Sequence, residues 1–318
     1  MQLAFLAGGI DAPGYFLRDM TFDYYLVCLY DTASCLRAPL AEMHSATPAC
    51  NFCLGPVDGD ILLADYKSWP RLDGLVAGPP CPPWSAIGKR KSCDDERAGV
   101  FEQVTKIIID QYQKGMAFWI IEMVLGQTFI DPSTGKSYYD AWLQEISREC
   151  PACLISCFRL DSRDYWLPQH RERIYTVGIH MRYSSTPVPR PLPLPKVSVQ
   201  SLWQELLHPG LPPNREHHLT RRQGWNLAVV KAMTARSGKW TNPISVEVDR
   251  DPILQFGALI RTKDGCTSTL CTGNELIWLC NLESDSSLSM SRCLHPLERF
   301  GIQGFVCSFF AQHLSKEA

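Results

Sequence analysis

The chain has 318 residues, is 45% hydrophobic and carries a formal net charge of −2. That length supports one large α/β core with a smaller unit, and the near-neutral balance excludes a global positive field, so any nucleic-acid binding must come from local patches. No apolar run reaches the roughly 20 residues needed to span a bilayer, no charged n-region with an apolar h-region opens the chain, and the 14 cysteines sit in a chain too core-rich for a small disulfide scaffold; an intracellular protein with free thiols and no membrane partner is expected.

The first predicted element is Gln2-Leu-Ala-Phe-Leu-Ala-Gly-Gly-Ile-Asp11, an apolar run that breaks into glycines, which reads as a buried strand and a tight turn. Tyr24-Tyr-Leu-Val-Cys-Leu-Tyr30 is a second strand ending at Asp31, Asp60-Ile-Leu-Leu-Ala64 a third, Gly74-Leu-Val-Ala-Gly78 a fourth and Phe118-Trp-Ile-Ile-Glu122 a fifth. An amphipathic helix over 99–114 carries Val104, Ile107, Ile108 and Tyr112 at helical spacing. Strands alternating with helices predict a doubly wound parallel sheet, whose ligands bind beyond the carboxyl ends of the strands. Gly8, Asp31, Cys81 and Glu122 fall at or past those ends, and Asp60 opens the third strand beside them.

After Gly178 eight prolines fall within residues 183–213, the mark of an extended, semi-rigid linker. Residues 214–285 read as a small irregular domain rich in Trp, Arg and Lys, and ordered patterning resumes at Arg292. The expected organisation is a catalytic and cofactor-binding domain over 1–182 plus 286–318, a linker over 183–213 and a target-recognition domain over 214–285.

Gly78-Pro-Pro-Cys-Pro-Pro-Trp-Ser85 follows the fourth strand. Prolines on both sides hold the Cys81 backbone stiffly. From this segment alone, a positioned nucleophile and an incidental buried thiol stand equally. Further on come Glu122-Met-Val, Gln169-His-Arg-Glu-Arg173 ahead of a strand ending at Gly178, and Arg292-Cys-Leu-His-Pro-Leu-Glu-Arg-Phe-Gly-Ile-Gln-Gly-Phe305.

With these four segments in this order, the chain resembles the cytosine-C5 methyltransferases, whose Pro-Cys, Glu-Asn-Val, Gln-x-Arg-x-Arg and Gln-Gly-Phe motifs follow the same succession. The resemblance implies a Rossmann-like core that binds S-adenosylmethionine, a small irregular target-recognition domain, and methyl transfer to C5 of a cytosine flipped out of double-stranded DNA by a monomeric enzyme. A nucleophile added at C6 makes C5 reactive toward a sulfonium methyl, and a thiolate both attacks and leaves readily; the resemblance gives that role to Cys81. It places Arg171 and Arg173 in the active site, the second on the pyrimidine. Glu122 would act at N3, where negative charge builds. For cofactor binding it points to Leu6, Ala7, Gly8 and Gly9 in the first turn, Asp31 on the ribose, Asp60 and Ile61 at the adenine, and Pro80. For substrate it points to Ser85, Lys89, Gln169 and Thr269, the last within the Thr-rich Cys266–Thr272 stretch; Arg221 and Arg222 are further phosphate candidates. No metal is expected, although Cys50/Cys53 and Cys150/Cys153 have zinc-ligand spacing.

The departures from the family pattern are local. Met123 replaces the Asn after Glu122, Pro82 and Trp84 replace Gln and Phe after Cys81, and Gly-Asn-Ala is not found after Phe305. Two alternatives stay open: the same chemistry on tRNA, disfavoured by the lack of a Cys-Phe-Thr signature, and a nucleic-acid-binding relative that no longer turns over.

Overall fold

The computed structural model describes residues 1–6, 13, 16–17, 20, 22–30, 60–80, 98–130, 135–198, 202–203, 206, 220–237, 244–247, 266–267, 277–280 and 292–304. The chain divides into two compact units, Met1–Leu160 with Glu172–Pro191, and Asp161–Arg171 with Leu192–Ala318.

The first unit is built on strands β1 (Gln2–Leu6), β2 (Tyr25–Tyr30), β3 (Gly74–Ala77), β4 (Phe118–Met123), β5 (Cys153–Asp161) and β6 (Glu172–His180), in the sheet order β2-β1-β3-β4-β6-β5. β1 pairs parallel with β2 and β3, and β3 parallel with β4. β6 runs antiparallel to β4, with Glu122 opposite Tyr175 and Met123 opposite Ile174. The sheet is therefore mixed, not wholly parallel as the alternating pattern predicts. A hydrophobic pattern records which faces are buried; the direction of a strand is set by the connection that brings it back.

β1 shows why its run is continuously apolar. Leu3 and Phe5 pack on one face with Tyr24 and Leu26, while Ala4 and Leu6 pack on the other with Leu75, Ala77, Trp119 and Ile121. A central strand buried on both faces has no polar position to alternate with. The second face is covered by α1 (Ala98–Gln113) and α2 (Tyr138–Glu149). The predicted stripe of α1 is the buried one: Val104, Ile107 and Ile108 are in the core and Tyr112 packs against it. Burial of Ile107 and Ile108, each wholly inaccessible, stabilises the fold by about 1.5–3 kcal/mol per side chain.

Two elements of this unit carry weaker sequence signals. The start of α2 is marked by Ser137, whose Oγ accepts from the Asp140 N–H at 3.0 Å, a cap of the usual Ser-x-x-acid kind. β5 lies at the sheet edge and is mostly half-buried, so its apolar residues do not stand out.

Asp60–Ala64 is not a strand. Ile61–Leu63 form a 3-10 turn, and Asp60 caps it by accepting from the Leu62 N–H at 3.0 Å. A four-residue apolar run does not separate strand from turn by periodicity, and an aspartate before it is also a capping signal.

In the second unit, α3 (Arg221–Ser237) opens with Thr220 and Gln223 capping each other: Thr220 N donates to Gln223 Oε1 at 2.8 Å, and Gln223 N to Thr220 Oγ1 at 3.2 Å. β7 (Ile244–Glu247), β8 (Ile277–Cys280) and β9 (Arg292–Cys293) form a small antiparallel sheet, followed by α4 (Pro296–Ile302). Regular structure thus occurs within the stretch that reads as irregular. Among the described residues no helix is long and apolar enough to cross a membrane.

Candidate functional site

The sheet order reverses at β1, whose neighbours β2 and β3 come next in sequence on opposite sides. Such a switch point leaves a crevice at the carboxyl ends of its two central strands. Here those ends are Leu6 and Ala77, and the ladder continues one step further as Gly78 N donates to Leu6 O at 3.1 Å. Leu6 and Ile61, both read as cofactor contacts, are buried in the same core cluster. Pro80 is half-buried. The half-buried Asp60 commits Oδ1 to the Leu62 N–H, and its Oδ2 meets no donor among the described residues. A carboxylate oxygen of this kind can accept from an amine or hydroxyl donor. Ala7, Gly8, Gly9 and Asp31 lie outside the described residues, as do Cys81, Ser85, Lys89 and Thr269.

Glu122 and Arg173 come together. β4 alternates, with Trp119, Ile121 and Met123 turned into the α1–α2 core and Glu122 on the other face. In the antiparallel ladder Tyr175 stands opposite Glu122, which makes Arg173 its diagonal neighbour on the same face. Arg173 Nε lies 2.8 Å from Glu122 Oε1, with the side chains 11% and 23% exposed. The Nε–H has no aligned hydrogen-bond acceptor among the described residues, so charge rather than a directed bond holds this contact. Elsewhere on the guanidinium, Nη1 donates to the Glu172 carbonyl at 2.8 Å. Burying an ion pair this far is costly unless something uses it, and a half-desolvated acid beside a fixed cation can bind a polar, planar group that presents both donors and acceptors.

Arg171 and Gln169 belong to the loop between β5 and β6. Arg171 N donates to Asp161 Oδ1 at 3.0 Å. Gln169 is 1% exposed and pairs with Thr267 in a short parallel bridge; its Nε2 is buried and has no acceptor among the described residues. Burial holds the Asp161 carboxyl up, but hydrogen bonds from His170 and from the Arg163 and Arg171 N–H groups outweigh it and bring it below the ordinary value.

Arg221 and Arg222 stand exposed on the first turn of α3, with exposed Trp225 one turn on. Glu298, from the late motif, is wholly buried and accepts from the His295 N–H at 2.9 Å, capping α4. Burial, with the nearby Cys153 and Glu149, pushes the Cys150 thiol up to about 12; Cys50 and Cys53 lie outside the described residues. The pairing of Glu122 with Arg173 and the tie between Asp161 and Arg171 are contacts that sequence reading missed. The only available signal was the odd-even placement of Glu122 and Arg173 on strands whose pairing was not yet known.

Comparisons with known proteins converge on one family. Type II methyltransferase M1.ScrFI of Lactococcus lactis subsp. cremoris is 35% identical over 138 residues, 42% of this chain and 33% of that protein. Type II methyltransferase M.HpaII of Haemophilus parainfluenzae is 31% identical over 142 residues, 44% of this chain and 38% of that protein. The chain thus matches well under half the length of these curated relatives. A solved DNMT2 variant from Spodoptera frugiperda has the same fold at a TM-score of 0.51 and 17% identity, covering 72% of this chain and 65% of that one. The family model described as C-5 cytosine-specific DNA methylase matches residues 45–318, and the chain belongs to that family.

Proposed function

We propose that this protein transfers a methyl group from S-adenosylmethionine to C5 of a cytosine flipped out of double-stranded DNA, with Cys81 as the nucleophile that adds to C6. The observation that carries the reading is the Glu122–Arg173 pair, 2.8 Å apart and largely shielded on one face of β4 and β6, in a chain of this family. Cytosine offers N3 as an acceptor, the N4 amine as a donor and O2 as an acceptor. A carboxyl group at N3 and N4 and a guanidinium at O2 match that edge.

S-adenosylmethionine supplies an electrophilic sulfonium methyl when bound. Asp60, with Asp31, would hold its adenosyl part, and the turn at Leu6, Ala7, Gly8 and Gly9, with Ile61 and Pro80, would line the rest. The chain's own work is threefold. Cys81 forms a bond to C6 as the ring gains electron density; Glu122 meets that density at N3; and Arg171 and Arg173 keep the thiolate and ring in a positive surrounding. After methyl transfer, loss of the C5 proton lets the C6–sulfur bond break and frees Cys81. Base flipping is required because C5 and C6 are hidden inside the stacked duplex. Ser85, Lys89, Gln169, Thr269, Arg221 and Arg222 would make substrate contacts, and phosphate contacts of this kind weaken with salt. A monomer acting inside the cell is part of this reading.

The test is to incubate the protein with labelled S-adenosylmethionine and either duplex DNA or tRNA, and to follow 5-methylcytosine by mass spectrometry. Product on DNA supports the proposal; product on tRNA alone moves the substrate to RNA; no product on either sinks it. Cys81→Ala should abolish turnover and should give no covalent complex with a 5-fluorocytosine duplex. Equal product from Cys81→Ala and wild type would remove the thiol from the mechanism.

A further inference from the structure

The loop joining β5 to β6 is tied far more closely than a plain connection requires. Asp161, the last residue of β5, caps the 3-10 turn Ser162–Tyr165 by accepting from the Arg163 N–H at 3.2 Å. The same Oδ1 accepts from the Arg171 N–H at 3.0 Å, across the full length of the loop. Its Oδ2 lies 2.8 Å from His170 Nδ1, with the two side chains 19% and 30% exposed. Ser162 Oγ donates to Gln169 O at 2.6 Å. From the other side, Thr267 N donates to Pro168 O at 2.8 Å and His170 N to Thr267 O at 2.9 Å. The loop also contains Trp166 at φ 66°, the one non-glycine residue with positive φ among the described residues. A left-handed residue of that size is strained and persists only where its surroundings hold it; here the indole Nε1 donates to Pro195 O at 2.7 Å.

His170 is the residue common to both sets of bonds. Its ring engages Asp161, and its main chain pairs with Thr267, in the Thr-rich stretch. Asp161 in turn holds the Arg171 main chain. The Asp161 carboxylate accepts three donors, so it is occupied in holding the loop rather than available to a substrate. We propose that Asp161 and His170 are positioning residues for Arg171, a carboxylate–imidazole pair that fixes the arginine's backbone beside Thr267. This rests on the reading of Arg171 as an active-site group.

The pair acts on rate through placement. Misplacing a catalytic group by about 1 Å can cost on the order of a hundredfold, with little effect on the binding of a cofactor elsewhere. His170→Ala is therefore expected to lower kcat on saturating duplex by about tenfold to a hundredfold while leaving the KM for S-adenosylmethionine near that of wild type. His170→Asn places an amide donor close to where Nδ1 stands and should recover most of the loss. Amide hydrogen exchange at Arg171 should accelerate in Asp161→Ala and His170→Ala and return toward the wild-type rate in His170→Asn. Asp161→Leu, which fills the space and lacks an acceptor, serves in the same comparison if Asp161→Ala does not fold. Exchange is measured without turnover, so a wild-type chain that methylates nothing would remove the proposed function and still leave the positioning to be decided. Wild-type kcat in His170→Ala, an equal loss in His170→Asn and His170→Ala, or unchanged Arg171 exchange in the Asp161 variants would each overturn the proposal.

Discussion

Glu122 and Arg173 stand 2.8 Å apart on one face of β4 and β6. If Glu122 meets ring charge at N3, Glu122→Gln keeps the size and loses the proton chemistry; turnover should fall by on the order of 10²–10⁴, and the melting temperature should fall as well, since the Arg173 guanidinium, 11% exposed, loses its charge partner. Arg173→Ala removes the cation beside the Glu122 carboxylate, so it should cost both activity and melting temperature: breaking a fully buried pair is destabilising by about 3–5 kcal/mol, and breaking this one, with its carboxylate 23% exposed, by less. Single-turnover methylation beside thermal melts separates the two. Equal turnover in Glu122→Gln and wild type would remove the acid from the reaction. The residue types at these positions were legible in the sequence; the pairing was not, because a charge pair on two strands depends on their register. Asp60 makes the same point: its sequence context is compatible with a strand start or a turn cap, and only the observed bond to the Leu62 N–H distinguishes them.

At the scale of elements, the β4–β6 ladder decides where the pair stands. Its register puts Gly178 opposite Trp119, and a Cβ at 178 would land within the indole ring. Trp119 is itself locked, 1% exposed and edge-on to Trp142 with ring centroids 6.1 Å apart, so it cannot swing away at little cost. Gly178→Ala should therefore destabilise the protein by roughly 1–3 kcal/mol, the cost of overpacking a dense core, read as a lower urea midpoint with an unchanged m-value. An unchanged midpoint would mean that the ladder is not packed as described. The existence of β1, β3, β4 and α1 was legible because burial on one or both faces writes a local pattern of period 2, period 3.6 or continuous apolarity. The 3-10 turn at Ile61–Leu63, the edge strand β5 and the antiparallel sense of β6 were not, because short runs are ambiguous and strand direction is not a local property.

At the scale of the whole molecule, the chain forms two compact units, and the Asp161 loop belongs to the second. The carboxyl of Asp161 is raised by burial but lowered further by its hydrogen bonds from His170 and from the N–H groups of Arg163 and Arg171, ending below its ordinary 3.8. A carboxylate with a lowered folded value contributes stability that is fully present above its unfolded value and is lost as pH falls through the folded one. Urea midpoints measured from pH 7 down to about pH 3 should thus fall more steeply for wild type than for Asp161→Asn, the curves converging at the acid end. Parallel curves would show that Asp161 carries no such linkage.

The sequence by itself determined the family and the order of the principal elements, because the Cys81, Glu122, Arg171–Arg173 and Gln303-Gly-Phe305 motifs and the buried stripes are written in contiguous residues. Tertiary structure decided which of those residues become partners. Glu122 meets Arg173, and Asp161 reaches Arg171 and His170, because strand register, loop closure and burial bring these groups together. The 2.8–3.0 Å contacts of Glu122 with Arg173 and of Asp161 with Arg171 and His170 are set by strand register and loop closure, and no pattern of neighbouring residues specifies them.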